Sequence, residues 1–354
     1  MQYNIKSEYK KIEVLMKTKS IGRAVVRVLI FLLVTVLLLL IAILGVLWVV
    51  LRGPSTTAQE LLTRSLKETS AIYWIPEIYL PAERIAEIMD DTEDSFTEEV
   101  STDSSLVTIT ASRKADESGD QTGEEIAEED IEVVRIKGAS YSGVMLIVKD
   151  PERVIIGTPD SFGGYGLTLE KMLTKYDAIG GINGGSFKDE NGTGHGGTPE
   201  GIVITDGNLV WDDGTTTTVI GIDNDGILHV GKMSGKKALE RNLKWACSFG
   251  PALIVNGEAQ STREITTSGV NPRSAIGQRA DGAILLLCIE GRQISSLGAT
   301  YEDLISIFLE HGAVNAANLD GGSSTKMIYD GEEMIINSSV IGSRPLPTCF
   351  LITR

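Results

Sequence analysis

The chain has 354 residues, with 32 Lys and Arg against 48 Asp and Glu, a formal charge of -16. That balance argues against a nucleic-acid binder, which presents a positive face to phosphate. Hydrophobic residues make up 42% of the chain and glycine contributes 38 residues. This is the composition of a globular protein rich in strands and turns, in a chain longer than one average domain.

The charge is segregated along the chain. Residues 1–27 carry Lys6, Lys10, Lys11, Lys17, Lys19, Arg23 and Arg27 against only Glu8 and Glu13. Residues 28–51 then run without a charge and end at Arg52-Gly53-Pro54. A run of this length meets the ~20 residues of a membrane-spanning helix and exceeds the ~7–15 of a signal-peptide core. We expect a transmembrane anchor, with the basic tail cytoplasmic and the remainder outside. A cleaved signal is the alternative, with Thr56-Thr57-Ala58 as a poor cleavage site.

Residues 52–89 place Leu61, Leu62, Leu66, Ile85, Ile88 and Met89 at spacings of three and four in places. Aromatics and prolines interrupt them at Ile72-Tyr73-Trp74-Ile75-Pro76 and Tyr79-Leu80-Pro81. The pattern predicts short helices in a juxtamembrane stalk, whose Trp and Tyr suit the membrane interface; a partner-binding segment is the alternative. Residues 90–132 hold sixteen Asp or Glu against Arg113 and Lys114, a net of fourteen negative charges. Such a self-repelling stretch is expected to be an extended, disordered spacer. No EF-hand ligand spacing appears in it.

Residues 133–354 read as one folded domain. Short apolar runs recur at 133–136, 144–148, 154–156, 202–204, 219–222, 252–255, 283–289 and 349–352. Asp206-Gly207-Asn208, Asn224-Asp225-Gly226, Asn256-Gly257 and Asp281-Gly282 supply hairpin turns. Helices are expected at 168–176 and at 300–311, where Thr300 with Asp303 forms a capping pattern and Gly312 a stop. The fold class is therefore α+β, a mixed, mostly antiparallel sheet with a few packed helices.

Cys247, Cys288 and Cys349 stand in or beside apolar runs, an odd count without tight spacing, and read as buried free thiols, with one disulfide possible. His195, His229 and His311 are scattered and form no ligand cluster with them, so the residues call for no metal. Phosphate-loop, dinucleotide and nucleophile-elbow motifs are missing, and no cofactor is expected.

Polar residues instead gather at strand ends. Asn318-Leu319-Asp320-Gly321-Gly322-Ser323-Ser324-Thr325 follows an apolar run and sets a carboxylate before two glycines and three hydroxyls. Glycines admit a ligand close to backbone N–H groups, hydroxyls add donors, and the Asp supplies an acid, base or nucleophile. Asn183-Gly184-Gly185-Ser186-Phe187 ends another strand. Asn271-Pro272-Arg273-Ser274-Ala275-Ile276-Gly277 sets a guanidinium at a strand mouth, and Gly194-His195-Gly196-Gly197-Thr198-Pro199-Glu200-Gly201 is a glycine-rich loop with a second carboxylate. Singly each reads as turn glycines or a surface ion pair; together they describe a site at the ends of strands.

Asn183 to Phe187, Asn271 to Gly277 and Asn318 to Thr325, with Asp281-Gly282 leading into 285–287 and with Gly291-Arg292, resemble the phosphodiester glycosidase family in order and spacing across roughly residues 140–354. Its animal members remove N-acetylglucosamine to uncover mannose 6-phosphate, and its bacterial members are associated with exopolysaccharide. Two positions depart from the family pattern: Ser186 stands where an aromatic is usual, and Ser323 where many members carry a third glycine.

The resemblance implies hydrolysis of a sugar 1-phosphodiester, releasing sugar and a phosphomonoester. For that reaction the residues offer Asp320, Glu200 and Arg273 as catalytic candidates, with Arg273 and loop N–H groups on the phosphate, Asp320 as nucleophile or general base and Glu200 as its partner. Asn183, Gly184, Gly185, Ser186, His195, Asn318, Gly321, Gly322, Ser323 and Ser324 are the candidate substrate contacts. The expected partners are a sugar phosphodiester or envelope glycopolymer and the membrane. A non-catalytic module binding an anionic envelope polymer is the alternative from another class. A P–O-cleaving diesterase would want a metal.

Overall fold

A computed structural model of the protein describes residues 2–69, 72–90, 102–109, 130–189, 194–266, 268–339 and 342–354, with residues 2–24 and Arg263 as backbone alone. Most of the acidic stretch expected as a spacer, residues 91–101 and 110–129, lies outside the described residues. The chain divides into two compact units, Met1–Gln59 and Glu60–Arg354.

The first unit is chiefly the helix α1 (Gln2–Arg52). Its segment Val25–Arg52 is long and apolar enough to cross a membrane. Phe31, Leu33 and Trp48 on it are exposed. Pro54 cannot continue the hydrogen-bond ladder, and the helix stops two residues before it.

Helix α2 (Thr56–Lys67) spans the border of the two units and is followed by α3 (Ile75–Tyr79) and α4 (Ala82–Met89). The prolines that interrupt the pattern are helix starters: Pro76 lies in the first turn of α3, and Pro81 is the N-cap of α4. Leu66, Tyr79, Ile85 and Ile88 are buried, and residues from Glu60 onward cluster with the C-terminal domain as one unit. Part of the acidic stretch docks as well: Asp103 N donates to Asn256 Oδ1 at 2.7 Å, and Thr108 N to Ala280 O at 2.8 Å.

The elements that follow are β1 (Ile131–Lys137), β2 (Ser142–Val148), β3 (Val154–Gly157), α5 (Leu169–Tyr176), β4 (Ala178–Asn183), β5 (Ile202–Thr205) and β6 (Asn208–Asp212). Next come β7 (Thr217–Asp223), β8 (Leu228–Met233), α6 (Gly235–Glu240), β9 (Leu243–Ser248), β10 (Ala252–Val255), β11 (Glu258–Ala259) and α7 (Arg263–Thr266). The chain closes with β12 (Arg273–Arg279), β13 (Ile284–Ile289), α8 (Tyr301–Glu310), β14 (Ala313–Leu319), β15 (Met327–Tyr329), β16 (Glu332–Glu333) and β17 (Cys349–Thr353).

The strands form three sheets, ordered β1-β2-β13-β12-β14-β10-β11, β16-β15-β4-β17-β3 and β6-β5-β9-β7-β8. Neighbours among the described strands pair antiparallel, as in β12 with β14 and β4 with β17. The fold is α+β. All four hairpin signals sit at turns between paired strands, and Asp206, Gly207, Asn256, Gly257 and Gly282 have the positive φ such turns require. Helix α8 begins with the expected capping box, Thr300 accepting from Asp303 N while the Asp303 carboxylate accepts from Thr300 N.

The apolar run 283–289 is continuous because β13 is buried on both faces. Ile284, Leu286 and Cys288 point into a core shared by all three sheets, with Ala317, Ile182, Phe350, Val203 and Ile220. Leu285, Leu287 and Ile289 point the other way, into a second core that includes Leu304 and Phe308 of α8. Fully burying one such side chain stabilises by about 1.5–3 kcal/mol. The three cysteines are buried free thiols, and burial pushes Cys247 and Cys288 up to about 12.

Candidate active site

The register of β12 and β14 places the two strongest site candidates side by side. Ser274 pairs with Leu319, so Arg273 and Asp320, one residue further out on each strand, emerge at the same end of the sheet. The second sheet meets this edge: Asp320 N donates to Gly184 O at 3.1 Å, and Gly184 N to Thr348 O at 3.0 Å. Arg273 and Asp320 line one cavity of about 300 Å³ with Gly321, Gly322, Ser323 and Ser324.

Three guanidinium groups surround this cavity. Arg273 is buried; its Nε donates to Ala299 O at 3.2 Å, its Nη2 to Gly269 O at 2.7 Å, and its guanidinium lies 4.2 Å over the Tyr301 ring. Arg344, equally buried, pairs through Nη2 with Asp189 Oδ2 at 2.7 Å, donates to Ser323 Oγ at 3.2 Å and stacks on Phe187. Arg292 donates to Asn271 Oδ1 at 3.1 Å. Desolvation draws the Arg292 guanidinium below its usual range; Glu68 opposes that shift, and the charge of Arg273 adds to it. Mutually repelling guanidinium groups held in place make an anion site.

Asp320 is the carboxylate facing that positive field. Burial pushes it up to about 6, against a Ser324 hydrogen bond and Arg344, which lower it, while Asp189 raises it further. A carboxyl tuned to about 6 holds or releases a proton near neutral pH, as general acid–base chemistry requires.

The remaining sequence candidates take different places. Asn183 is fully buried, and its amide is used internally: Nδ2 donates to Asp320 O at 2.5 Å, while Oδ1 accepts from Ser274 Oγ at 2.6 Å and Lys326 N at 3.1 Å. It holds the Asp320 turn rather than facing the cavity. Asn318 is also buried, donating to Gly250 O at 2.8 Å. Gly184 and Gly185 are required by close packing, since a Cβ would sit 2.6 Å from Thr348 Oγ1 or from Ser248 O respectively. Ser186 donates to Glu200 Oε2 at 2.5 Å, and both line a second cavity of about 430 Å³ with Asp213 and Ser248. Phe249 lines both cavities. His195 lines neither cavity and stacks on Tyr165, ring centres 4.4 Å apart.

Sequence reasoning missed Asp189, Tyr301, Arg344 and Glu68 as members of the Asp320 cavity. Arg344-Pro345 repeats in reverse the pairing of Pro272-Arg273, a faint signal. The loop carrying Arg344 is fastened by Ser343, which donates to Glu170 Oε1 at 2.6 Å and accepts from Lys326 Nζ at 2.6 Å. Glu68 offers no local signal. Its Oε2 accepts from Asn271 Nδ2 at 2.6 Å and lies 3.4 Å from Arg273 Nη2.

The sequence model described as phosphodiester glycosidase matches residues 176–353. The SPbeta prophage-derived uncharacterized protein YomE of Bacillus subtilis (strain 168) is 36% identical over 88 residues, 24% of this chain and 14% of its own. The N-acetylglucosamine-1-phosphodiester alpha-N-acetylglucosaminidase of Bos taurus is 27% identical over 167 residues, 42% of this chain and 31% of its own. That of Mus musculus is 25% identical over 222 residues, 56% and 42% respectively. The chain thus spans less than half the length of these curated relatives. The fold is shared with the zebrafish enzyme's catalytic domain, auto-inhibited by its pro-peptide, at a TM-score of 0.52 and 24% identity, covering 63% of this chain and 82% of that one.

Proposed function

The chain belongs to the phosphodiester glycosidase family, and from that membership we propose that it hydrolyses a sugar 1-phosphodiester, releasing free sugar and a phosphomonoester. The observation that carries the reading is the Asp320 cavity, where a carboxyl near 6 shares one wall system with Arg273, Arg292 and Arg344. Arg273 and Arg292 take the phosphate oxygens, and the glycine turn lets it approach the backbone. The C1–O bond breaks with its electron pair going to the phosphate oxygen, a leaving group stable enough to need little protonation. Asp320 in its ionised form either takes the proton of the attacking water or attacks C1 itself; both roles need the carboxylate.

Asp189, paired with Arg344, is the carboxylate of this cavity that takes the partner role the sequence assigned to Glu200. Glu200 and Asp213 in the adjoining cavity are suited to the hydroxyl-rich part of the substrate. The helix Val25–Arg52, preceded by basic residues, supports membrane anchoring with the domain extracytoplasmic. Exposed Ile72, Tyr73, Trp74 and Ile78 suit the membrane interface. Envelope glycopolymers with phosphodiester links are then the substrates within reach.

The test is sugar release from a UDP-sugar or a sugar methyl phosphodiester by the full chain in detergent. Wild type should yield free sugar, and Asp320→Asn and Arg273→Ala should not while remaining folded. Sugar phosphate as the product would point to P–O cleavage. Binding of anionic glycopolymer without hydrolysis would replace the enzyme reading with a binding module.

A further inference from the structure

Two uncharged loops adjoin residues of the Asp320 cavity. The first, 293–300, follows Arg292; the second, 334–339, is tied to Gly322, whose carbonyl accepts from Ser338 Oγ at 3.1 Å. Arg292 and Gly322 lie against each other, since a Cβ on Gly322 would be 3.2 Å from Arg292 Nη2. The loops themselves are joined, Gln293 Nε2 donating to Ile336 O at 3.2 Å. Both therefore border the same edge of the phosphate subsite.

Their apolar side chains face solvent. Ile294 is fully exposed, and Leu297 and Ile336 are 58% and 62% exposed, so none of the three serves a core. Single exposed aliphatics are ordinary, but three on joined loops beside a charged cavity mark a contact surface. The polar side chains among them are turned to the backbone: Gln293 to Ile336 O, Ser296 to Glu290 O, Asn337 to Thr325 O and Ser338 to Gly322 O. Glu290, the carboxylate at the base of both loops, accepts from Ser142 Oγ at 2.8 Å and from Ile336 N at 2.9 Å. What these loops present to a ligand is hydrocarbon.

The first loop is also fastened. Arg292 N donates to Leu297 O at 3.0 Å, Gln293 N to Ser296 O at 3.0 Å, and Leu297 N to Ser140 O at 2.7 Å. Arg292 bends the chain with a φ of +59°, a conformation that side chains rarely adopt. A tip held in this way loses little freedom when it meets a ligand.

We propose that the alcohol esterified to the phosphate is a lipid: the substrate is a sugar 1-phosphodiester of a long-chain alcohol. Arg292 holds the phosphate, and the first methylenes of the chain lie against Ile294, Leu297 and Ile336. This rests on the reaction proposed above and narrows its substrates to sugars carried on a membrane lipid. A phosphate-linked nucleoside or polymer sugar would call for hydrogen-bonding side chains at this edge, whereas aliphatic ones suit an alkyl chain. One water is consumed: its oxygen joins C1 with one proton, and the other proton is released. The C1–O bond breaks with its electron pair on the phosphate, leaving free sugar and a long-chain alkyl phosphate. A chain anchored through Val25–Arg52 meets such a substrate in its own bilayer.

The experiment compares the methyl and octyl diesters of one sugar 1-phosphate as substrates of the full chain in detergent. Methyl phosphate and octyl phosphate serve as binding probes by titration calorimetry. Wild type should favour the octyl compound at least ten-fold in both kcat/KM and affinity, the effect of burying roughly two methylenes. In the combined variant Ile294→Ser, Leu297→Ser, Ile336→Ser the octyl-to-methyl ratio should fall to near one, and each single variant should lower it part of the way. Partition of the octyl group into detergent is common to wild type and variants, so the change in ratio reports the loops. Equal handling of the two esters by wild type, or a preference that survives the combined variant, overturns the proposal. A loss shared equally by both esters makes the loops mere supports of the site and overturns it as well. If octyl phosphate binds more tightly only in wild type but neither diester yields free sugar, the lipid site stands and the glycosidase reading falls.

Discussion

Replacing Asp320 by asparagine separates what the site costs from what it does. Asparagine keeps the shape of the side chain and removes a carboxyl that burial has moved from 3.8 to about 6. The shift is upward for an acid, so the native state holds this proton more tightly than the unfolded chain. Stability from that difference is complete below about 3.8 and is lost as pH rises through about 6. Above pH 7 the ionised group therefore opposes folding by about 3 kcal/mol. Asp320→Asn should accordingly be more stable than wild type by up to about 3 kcal/mol at pH 8, shrinking to under about 1 kcal/mol at pH 4. For a domain of this size that is roughly 6–12 °C in Tm at pH 8. Thermal melts by circular dichroism at pH 8, 6 and 4 read it directly. A gap that is the same at all three pH values, or a less stable variant at pH 8, would refute the assignment of Asp320 as a desolvated, functionally tuned carboxyl.

Activity should follow the same group. Because either role of Asp320 uses the carboxylate, kcat/KM should rise with pH through about 6; a flat profile between pH 5 and 8 in initial-rate assays would move the chemistry elsewhere. Asp189→Asn removes the charge that raises Asp320 and unpairs Arg344, so the acid limb should move to lower pH and kcat fall by about 10²–10⁴. Glu200→Gln, in the second cavity, should act mainly on KM, and a larger loss of kcat than in Asp189→Asn would restore Glu200 as the partner carboxylate. Phe308→Ala empties a fully buried position beneath Gly277 and should cost about 3–5 kcal/mol in denaturant unfolding.

The predictions on Asp320, Asp189 and Glu200 depend on which residues share a cavity, and sequence and folded structure differ most there. The hairpin turns at Asp206-Gly207, Asn224-Asp225-Gly226, Asn256-Gly257 and Asp281-Gly282 were legible because positive φ and turn hydrogen bonds are local demands that few residues meet. The same holds for the Thr300–Asp303 capping box and for the apolar helix ending at Arg52. Asp320 and Arg273 were legible as polar residues at the ends of apolar strands, and their motifs carried the family. Strand order was not, because hydrogen-bonding partners such as β2 and β13, or β4 and β17, are far apart in sequence and meet only through side-chain packing.

The partners of the site belong to that second kind. Asn183 and Asn318 looked like ligand contacts, yet tertiary packing buries both and turns their amides to backbone groups that would otherwise be unsatisfied. Arg344 and Asp189 gain their place from a loop fastened through Ser343 to Glu170 and Lys326, contacts spanning more than a hundred residues for Glu170. Glu68 is the extreme case, an unmarked residue after a short helix that reaches Asn271 and Arg273 only because Ser65 seats on Gly269 and Val270. The sequence by itself determined the local conformations, the apolar helix and the family, since these rest on short-range sterics and residue chemistry. Only the tertiary structure decided which carboxylates face which guanidinium groups, because Coulombic and desolvation effects depend on distances that no stretch of sequence contains.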